Sequence, residues 1–108
     1  MVAAMAKVTG PASGLAEISR MASESVESWL REYDGYRGLV VLTDEEAQTS
    51  RVLTFWETPE AEARARASRG AMRDRIVATA GMEVVEFRVW EVPVYTVPSS
   101  AVSLPTTG

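Results

Sequence analysis

The feature that most constrains this chain is the order in which its hydrophobic periodicity changes. Two-residue alternation and β-branched residues indicate strands, whereas apolar residues three and four apart indicate helices. Strand-like segments occupy residues 2–9, 36–43, 51–57 and 82–97, and helix-like segments occupy residues 12–32 and 59–80. The order β-α-β-β-α-β predicts an α+β, ferredoxin-like fold, in which two helices cover one face of a four-stranded antiparallel sheet.

Local signals support the boundaries of the two helices. Asp34-Gly35 follows the first apolar stripe, and a glycine there can adopt the left-handed conformation that ends a helix. Thr58-Pro59 is typical of a helix start, because threonine caps the first turn and proline fits the first helical position. We expect a bend in the second helix near Gly70 and its end at Gly81.

The predicted fold leaves the second face of the sheet uncovered. Either Phe55 or Trp56, and either Phe87 or Trp90, should lie on that face. A monomer rarely exposes an aromatic patch of this kind, so we expect a second copy to cover it. Two sheets packed face to face would form a dimeric α+β barrel that encloses a cavity. Residues 94–97, beyond Pro93, could reach the partner's sheet edge.

Composition excludes several classes of partner. The length of 108 residues indicates one domain, over residues 1–97, followed by a mobile C-terminal tail over residues 98–108. A net charge of −4 disfavours binding to nucleic acid. No apolar run approaches the ~20 residues of a membrane helix. The apolar start at residues 1–7 lacks the basic region of a signal peptide, so we expect a cytoplasmic protein without membrane contact.

Absent residue types narrow the chemistry further. The chain contains neither Cys nor His, and no Asn is found along it. Catalysis by a serine–histidine or cysteine–histidine pair is therefore excluded. A zinc site made only of carboxylates would be unusual, so we expect no metal. Any reaction must use Trp, Tyr, Arg, Lys, Asp, Glu, Ser, Thr or the backbone.

Three motifs together resemble the antibiotic-biosynthesis-monooxygenase-like group of dimeric α+β barrels. The first is Asp-Gly-Tyr-Arg-Gly at residues 34–38, before the second strand. The second is Leu-Thr-Phe-Trp-Glu-Thr at residues 53–58, leading into the second helix, and the third is Trp-Glu-Val at residues 90–92. The resemblance spans residues 2–97 and depends on the order and spacing of these motifs.

This resemblance implies a function that needs no cofactor. The group includes cofactor-independent monooxygenases of polycyclic aromatic phenols, in which the substrate's own anion reacts with oxygen. The chain would then oxidise an aromatic or quinol-type small molecule in the barrel cavity. The group also includes haem-degrading enzymes that use an Asn, a Trp and a His. Trp56 matches their Trp, but the other two residue types are missing, so we do not expect haem degradation.

The missing Asn also leaves an alternative open. Phenol-oxidising members of the group use an Asn as well, and this chain has none. A non-catalytic homodimer with the same fold, which binds a small molecule or serves as an accessory protein, is therefore the second hypothesis.

The candidate catalytic residues are Trp56, Arg73 and Tyr36. Trp56 could form a wall of the cavity and stack on a flat ligand, although packing in the core or dimer is the simpler interpretation. Arg73 could stabilise a phenolate or a superoxide-like anion at the cavity mouth. Its spacing from Arg66 and Arg69 is explained more simply by a solvated helix face. Tyr36 could donate a hydrogen bond to the ligand or be purely structural.

The candidate ligand-binding residues are Phe55, Arg75 and Trp90. Arg75 would replace Arg73 at the cavity if the helix bend shifts the register. Phe55 and Trp90 belong to the aromatic strands expected to line the barrel. Glu86 and Arg88, which alternate with apolar residues on the last strand, are interpreted as a surface pair.

Overall fold

The protein consists of an antiparallel sheet with two helical segments packed side by side on one face. The computed structural model describes residues 1–98. The elements in chain order are β1 (Val2–Thr9), α1 (Ala12–Met21), a π-helical turn (Ala22–Val26), α2 (Glu27–Leu30), β2 (Tyr36–Asp44), β3 (Thr49–Trp56), α3 (Pro59–Thr79) and β4 (Glu83–Glu91). The predicted α+β, ferredoxin-like order is confirmed. The predicted tail, apart from Pro98, lies outside the described residues.

The strand order within the sheet is β2-β3-β1-β4. In the centre, Ala4 of β1 lies opposite Thr54 of β3 on one side and Val89 of β4 on the other. β1 carries three alanines, which form strands poorly in isolation. Pairing with a neighbour on both sides offsets this weak propensity and places the alanines under the helices or on the uncovered face.

The first predicted helix contains an irregularity that the sequence did not indicate. α1, the π-helical turn and α2 follow one another without a break from residue 12 to residue 30. Ala22, Val26 and Leu30 are spaced four apart, and that spacing drifts around a regular α-helix. The wider π-helical turn compensates for the drift, so all three side chains remain directed at the sheet.

Gly35 ends this helical segment as predicted. Its φ of +85° lies in the left-handed region that favours glycine. A Cβ at this position would lie 2.6 Å from the Cβ of Ala61, so any other residue would also collide with α3. The Gly35 carbonyl accepts a hydrogen bond of 2.8 Å from the backbone N–H of Glu57, which fixes the turn against the end of β3.

The start of α3 is also confirmed. The Thr58 side chain accepts a hydrogen bond of 3.1 Å from the backbone N–H of Ala61, and Pro59 occupies the first helical position. α3 then continues through Gly70 as one α-helix to Thr79. Gly81 follows with a φ of +70°.

The last strand is shorter than predicted. β4 ends at Glu91, whereas the sequence pattern extended it to Val97. The backbone N–H of Val92 still bonds to the carbonyl of Met1 at 2.9 Å, but Pro93 has no N–H to continue the ladder. Residues 92–98, named here the C-terminal strap, leave the sheet edge without regular secondary structure.

A bulge in β4 changes which side chains face the helices. Val84 pairs with Val8 and Phe87 pairs with Ala6, so the extra residue Val85 shifts the register between them. Val84 and Phe87 therefore both pack under the helices. Strict alternation along the strand would place these two residues on opposite faces, and the bulge prevents this because it inserts one unpaired residue.

Two apolar clusters hold the helices on the sheet. One surrounds the fully buried Trp56 and Leu30 near the start of α3. The other surrounds Val8, Leu15 and Met82 near its end. None of the helices in residues 1–98 is long and apolar enough to cross a membrane. The space between the two clusters is only partly filled.

Candidate functional site

A cavity of about 90 Å³ lies between the helices and the sheet. Its walls are apolar except for one hydroxyl and two guanidinium groups. They are formed by Ala4, Ala6, Val8, Ile18, Ala22, Val26, Trp29, Leu30, Val52, Thr54, Arg69, Arg73, Ile76, Val77 and Phe87. Thr54, the two arginines and the indole of Trp29 are the wall side chains that could take part in a reaction there.

Small side chains on opposite sides create this space. Ala4 and Ala6 of β1 form part of the floor, and Ala22 of the π-helical turn forms part of the roof. Larger residues at these positions would fill a gap of this size. The alanines that weaken β1 as a strand thus leave room above it, and the π-helical turn borders the same space, as such turns often do at functional sites.

Three arginines on α3 contact aromatic side chains of the sheet, and Arg69 is the most buried of them. Arg69 places its guanidinium carbon 5.1 Å from the ring centroid of Trp56. The guanidinium carbons of Arg66 and Arg73 lie 5.1 Å and 5.6 Å from the ring centroid of Phe87. Cation–π attraction of this kind stabilises each contact, and it holds the guanidinium groups against aromatic rings beside an apolar cavity.

One buried carboxylate lies among these arginines and neutralises them incompletely. The Glu62 side chain is 2% exposed, and its oxygens lie 3.4 Å from Arg66 Nη2 and 3.9 Å from Arg69 Nη2. The second distance is too long for a hydrogen bond, and Glu62 Oε2 has no hydrogen-bond partner within residues 1–98. Burial lowers the pKa of the Arg69 guanidinium, and the Glu62 carboxylate opposes this shift.

Trp56 is a core residue next to the cavity. Its side chain is fully buried, and its Nε1 donates a hydrogen bond of 2.8 Å to Thr54 Oγ1. Its ring makes edge-to-face contacts with Tyr33 and Tyr36 and a cation–π contact with Arg69. Trp56 itself does not line the cavity and has a packing role in the core. Its two partners, Thr54 and Arg69, do line the cavity.

Of the two arginines singled out on α3, Arg73 lines the cavity and Arg75 is exposed to solvent. The Arg73 side chain is about one-third exposed and pairs at 3.3 Å with Asp74, which is itself well exposed. The solvated face inferred as the simpler interpretation is wrong for Arg69, whose side chain is only 11% exposed.

The hydroxyl of Tyr36 is directed away from the cavity. It donates a hydrogen bond of 3.0 Å to Glu27 Oε2 in an open groove beside Arg31. Burial and this hydrogen bond raise the pKa of Tyr36 well above its ordinary value, so the phenol stays protonated at neutral pH. The geometry gives Tyr36 a structural contact between α2 and β2.

Phe55 and Trp90 lie on the uncovered face of the sheet, opposite the cavity. The Phe55 ring packs against Tyr95 of the strap, with the ring centroids 5.3 Å apart. Trp90 pairs with Ala3 of β1 and is 44% exposed. A role for these two residues in binding a ligand remains a prediction for the uncovered face, because the sheet separates them from Arg73.

Sequence reasoning missed Arg69 as an inward-facing residue. Arg69 follows the buried Ala65 by four positions and precedes Ile76 by seven, which places all three on one helix face. The apolar residues on both sides of the arginines were the available signal. Within residues 1–98 no group of three His, Cys, Asp or Glu residues could hold a metal ion.

Comparisons with known proteins identify the fold. No family model matches the chain, and no curated protein matches its sequence. A candidate antibiotic biosynthesis monooxygenase from Deinococcus radiodurans superposes with a TM-score of 0.68 at 14% identity, covering 89% of this chain and 96% of that one. The ActVA-Orf6 monooxygenase of Streptomyces coelicolor, solved with nanaomycin D, gives a TM-score of 0.65 at 14% identity, with 91% of each chain covered.

SnoaB from Streptomyces nogalater, a cofactor-independent oxygenase, gives a TM-score of 0.59 at 19% identity, covering 90% of this chain and 96% of that one. These likenesses confirm the predicted resemblance at the level of the fold. At this low identity they do not carry over a substrate or a catalytic residue.

Proposed function

We propose that the protein is a cofactor-independent monooxygenase-like enzyme that acts on an aromatic or quinol-type small molecule. The observation that carries this proposal is the apolar cavity lined by two arginines, in a fold shared with a monooxygenase and with a cofactor-independent oxygenase. The substrate would lie in the cavity between the helices and the sheet, with its ring against apolar side chains and its oxygen beside Arg69 and Arg73.

The arginines would favour the reactive form of such a substrate. A phenol reacts with oxygen more readily after it loses its proton, because the anion gives up an electron more easily. Positive charges beside the bound oxygen lower the pKa of the phenol and stabilise its anion. Thr54 adds a hydroxyl that already accepts a hydrogen bond from Trp56, so its own proton can be donated to the ligand.

The proposed reaction balances without an external reductant. For a quinol, one atom of O₂ forms a new bond to a ring carbon, and the C–H bond there is broken. The other oxygen atom leaves as water. The substrate supplies all four electrons and becomes a hydroxyquinone, while the two hydrogens of the water come from the quinol. The protein's part is to bind, orient and charge-stabilise the ring.

We propose in addition that the protein is a cytoplasmic homodimer associated through the uncovered face. That face carries exposed apolar side chains from both edge strands and from the strap. They include Val40, Leu42, Trp90 and Tyr95. Their exposure on the same face supports a second copy as the partner. Sedimentation velocity should give a mass twice that of the chain, and a strictly monomeric boundary would remove this part of the proposal.

Oxygen uptake tests the enzymatic proposal directly. Quinols and naphthols are supplied in air-saturated buffer, and uptake is measured against the same buffer without protein. We expect protein-dependent uptake that is lost in Arg73→Gln and kept in Arg64→Gln, which removes an exposed charge from the same helix. Uptake at the buffer rate for every compound would refute catalysis.

One observation favours a second function, the non-catalytic binding of a small molecule. Within residues 1–98 the cavity walls contain no carboxylate, tyrosine or other group that could act as a base near neutral pH. A binding protein needs no such group. A compound that protects the protein against thermal unfolding and is recovered unchanged in air would support this alternative.

A further inference from the structure

The size of the cavity restricts what it can hold. Its volume is about 90 Å³, whereas an engineered cavity that binds benzene measures about 150 Å³ and typical ligand pockets measure about 300–1,000 Å³. A single ring requires only a small outward shift of the helices. A fused two- or three-ring molecule would have to separate α3 from the sheet and disrupt the contacts of Trp56 and Phe87.

The cavity and its immediate surroundings contain more positive than negative side chains. Arg69 and Arg73 line it, and Arg66 lies directly behind Phe87. Against these three cations stands one buried carboxylate, Glu62. Asp74, the partner of Arg73, is well exposed and contributes little in water. A bound anion would complete this balance in a place where water is scarce.

The geometry of Arg69 leaves its donors available. Its guanidinium carbon lies 5.1 Å from the centroid of the Trp56 ring, and this cation–π contact does not require a hydrogen bond from its N–H groups. Within residues 1–98, Arg69 donates no hydrogen bond, and its nearest carboxylate oxygen is 3.9 Å away. A carboxylate or phenolate oxygen in the cavity can therefore receive charge-assisted hydrogen bonds from Arg69 without displacing another partner.

From the size, the charge and these free donors together, we propose that the cavity selects single-ring aromatic anions. Phenolates and benzoates share the required chemistry, which is one ring with one negatively charged oxygen group at its edge. The cavity discriminates against neutral single rings and against fused-ring anions. This inference rests on the cavity named in the proposed function, but it concerns binding alone.

Calorimetric titration of the full chain at pH 8.5 tests the selection. Benzoate is compared with neutral benzyl alcohol and with 2-naphthoate, and 4-nitrophenolate is compared with neutral nitrobenzene. Each anion should bind about tenfold or more tightly than its neutral partner, because charged hydrogen bonds are strong. The naphthoate should bind more weakly than benzoate. Comparing benzoate with nitrophenolate determines whether a carboxylate or a phenolate is preferred.

Variants connect the selectivity to the arginines. Arg69→Gln should abolish the preference for anions, and Arg64→Gln should retain it, since Arg64 is exposed on the same helix. Arg73→Gln, at a position that is about one-third exposed, tests the same point if circular dichroism shows that Arg69→Gln does not fold. Equal binding of anions and neutral rings, tighter binding of the naphthoate, or a preference unaffected by both cavity variants would overturn the inference.

Failure of this inference can be told apart from failure of the proposed enzyme. Benzoate has no ring hydroxyl to oxidise, so its binding does not depend on turnover. Anion-selective binding with no oxygen uptake from any quinol would retain the ligand class and refute the oxygenase. Oxygen uptake from a fused-ring quinol, with no binding of single-ring anions, would support the oxygenase and refute the proposed ligand class.

Discussion

The two faces of the sheet differ in the burial and the contacts of their aromatic residues. On the helix-covered face Trp56 is fully buried, donates a hydrogen bond to Thr54 and makes a cation–π contact with Arg69. On the uncovered face Trp90 is 44% exposed and has no charged group stacked on it within residues 1–98. Charge inside an apolar layer is characteristic of a binding site, whereas an exposed apolar surface is characteristic of an interface. In our proposal, the ligand binds on the helix-covered face and a second copy binds on the uncovered face.

Removal of each tryptophan should affect stability very differently. Trp56→Ala is expected to lower the free energy of unfolding by about 3–5 kcal/mol, because it leaves a large cavity in the core. Trp90→Ala should cost less than half as much in the monomer. Urea denaturation followed by circular dichroism at several protein concentrations separates folding from association. Equal losses in the two variants would contradict the distinction between the faces.

Replacement of the buried charges should separate stability from binding. Arg69→Met alone leaves the buried Glu62 with only the partly exposed Arg66 as a nearby cation, so we expect a loss of up to about 3 kcal/mol. Adding Glu62→Gln should restore stability to within about 1 kcal/mol, since a neutral pair has a smaller desolvation penalty. The double variant should still fail to bind benzoate. Restored binding there would mean that the guanidinium is not the anion-binding group.

The uncovered face should respond mainly through self-association. Trp90→Ala is expected to weaken the dimer by about 2 kcal/mol, as aromatic residues at the centre of an interface commonly do. Sedimentation equilibrium measures the dimer dissociation constant, with Arg64→Gln on the helical layer as the matched control. Benzoate binding should be unchanged in the Trp90 variant, and a parallel loss of both would show that the cavity depends on the dimer.

Tyr36 should have the smallest effect. Tyr36→Phe removes the hydrogen bond to Glu27, which stabilises by about 1 kcal/mol. Folding raises the pKa of Tyr36, so this stabilisation is complete below the ordinary tyrosine pKa of about 10 and is lost as the pH rises toward the folded value. The difference in unfolding free energy between the two proteins should be constant from about pH 6 to about pH 9, because this range lies below the ordinary tyrosine pKa of about 10.

Ligand binding by the Tyr36→Phe variant supplies the second test of that residue. Because the Tyr36 hydroxyl lies outside the cavity, oxygen uptake and benzoate affinity should equal those of the unchanged protein. A selective loss of uptake would restore to Tyr36 the catalytic role suggested by its sequence.

Much of the fold was predictable because local signals and long-range patterns agree. The local conformational preferences of Thr58-Pro59 and Gly35 match the roles that these residues have in the folded chain, which are a helix start and a helix end. The bulge at Val85 was not predictable, since nothing in the alternation of β4 identifies the unpaired residue. The strand end at Glu91 was missed because apolar residues continue past Pro93, although they no longer pair.

The candidate site was predicted less completely than the fold. Arg73 was a candidate for the mouth of a cavity expected between two facing sheets, whereas the cavity that it lines lies between the helices and the sheet. Arg69 was not a candidate, because arginines three and four apart usually face water. Only the buried residues on either side, Ala65 and Ile76, show that this part of α3 faces inward. Phe55 was distinguishable from Trp56 only after the sheet register was known.

Methyl NMR tests most directly the claim that the ligand binds under the helices. The chain has two isoleucines, Ile18 and Ile76, and both line the cavity. Leu42, 53% exposed, reports on the uncovered face. During titration with benzoate, the signals of both isoleucine methyl groups should shift and saturate together, while those of Leu42 stay in place. Shifts at Leu42 with unchanged isoleucine signals would place the ligand on the other face and contradict the account.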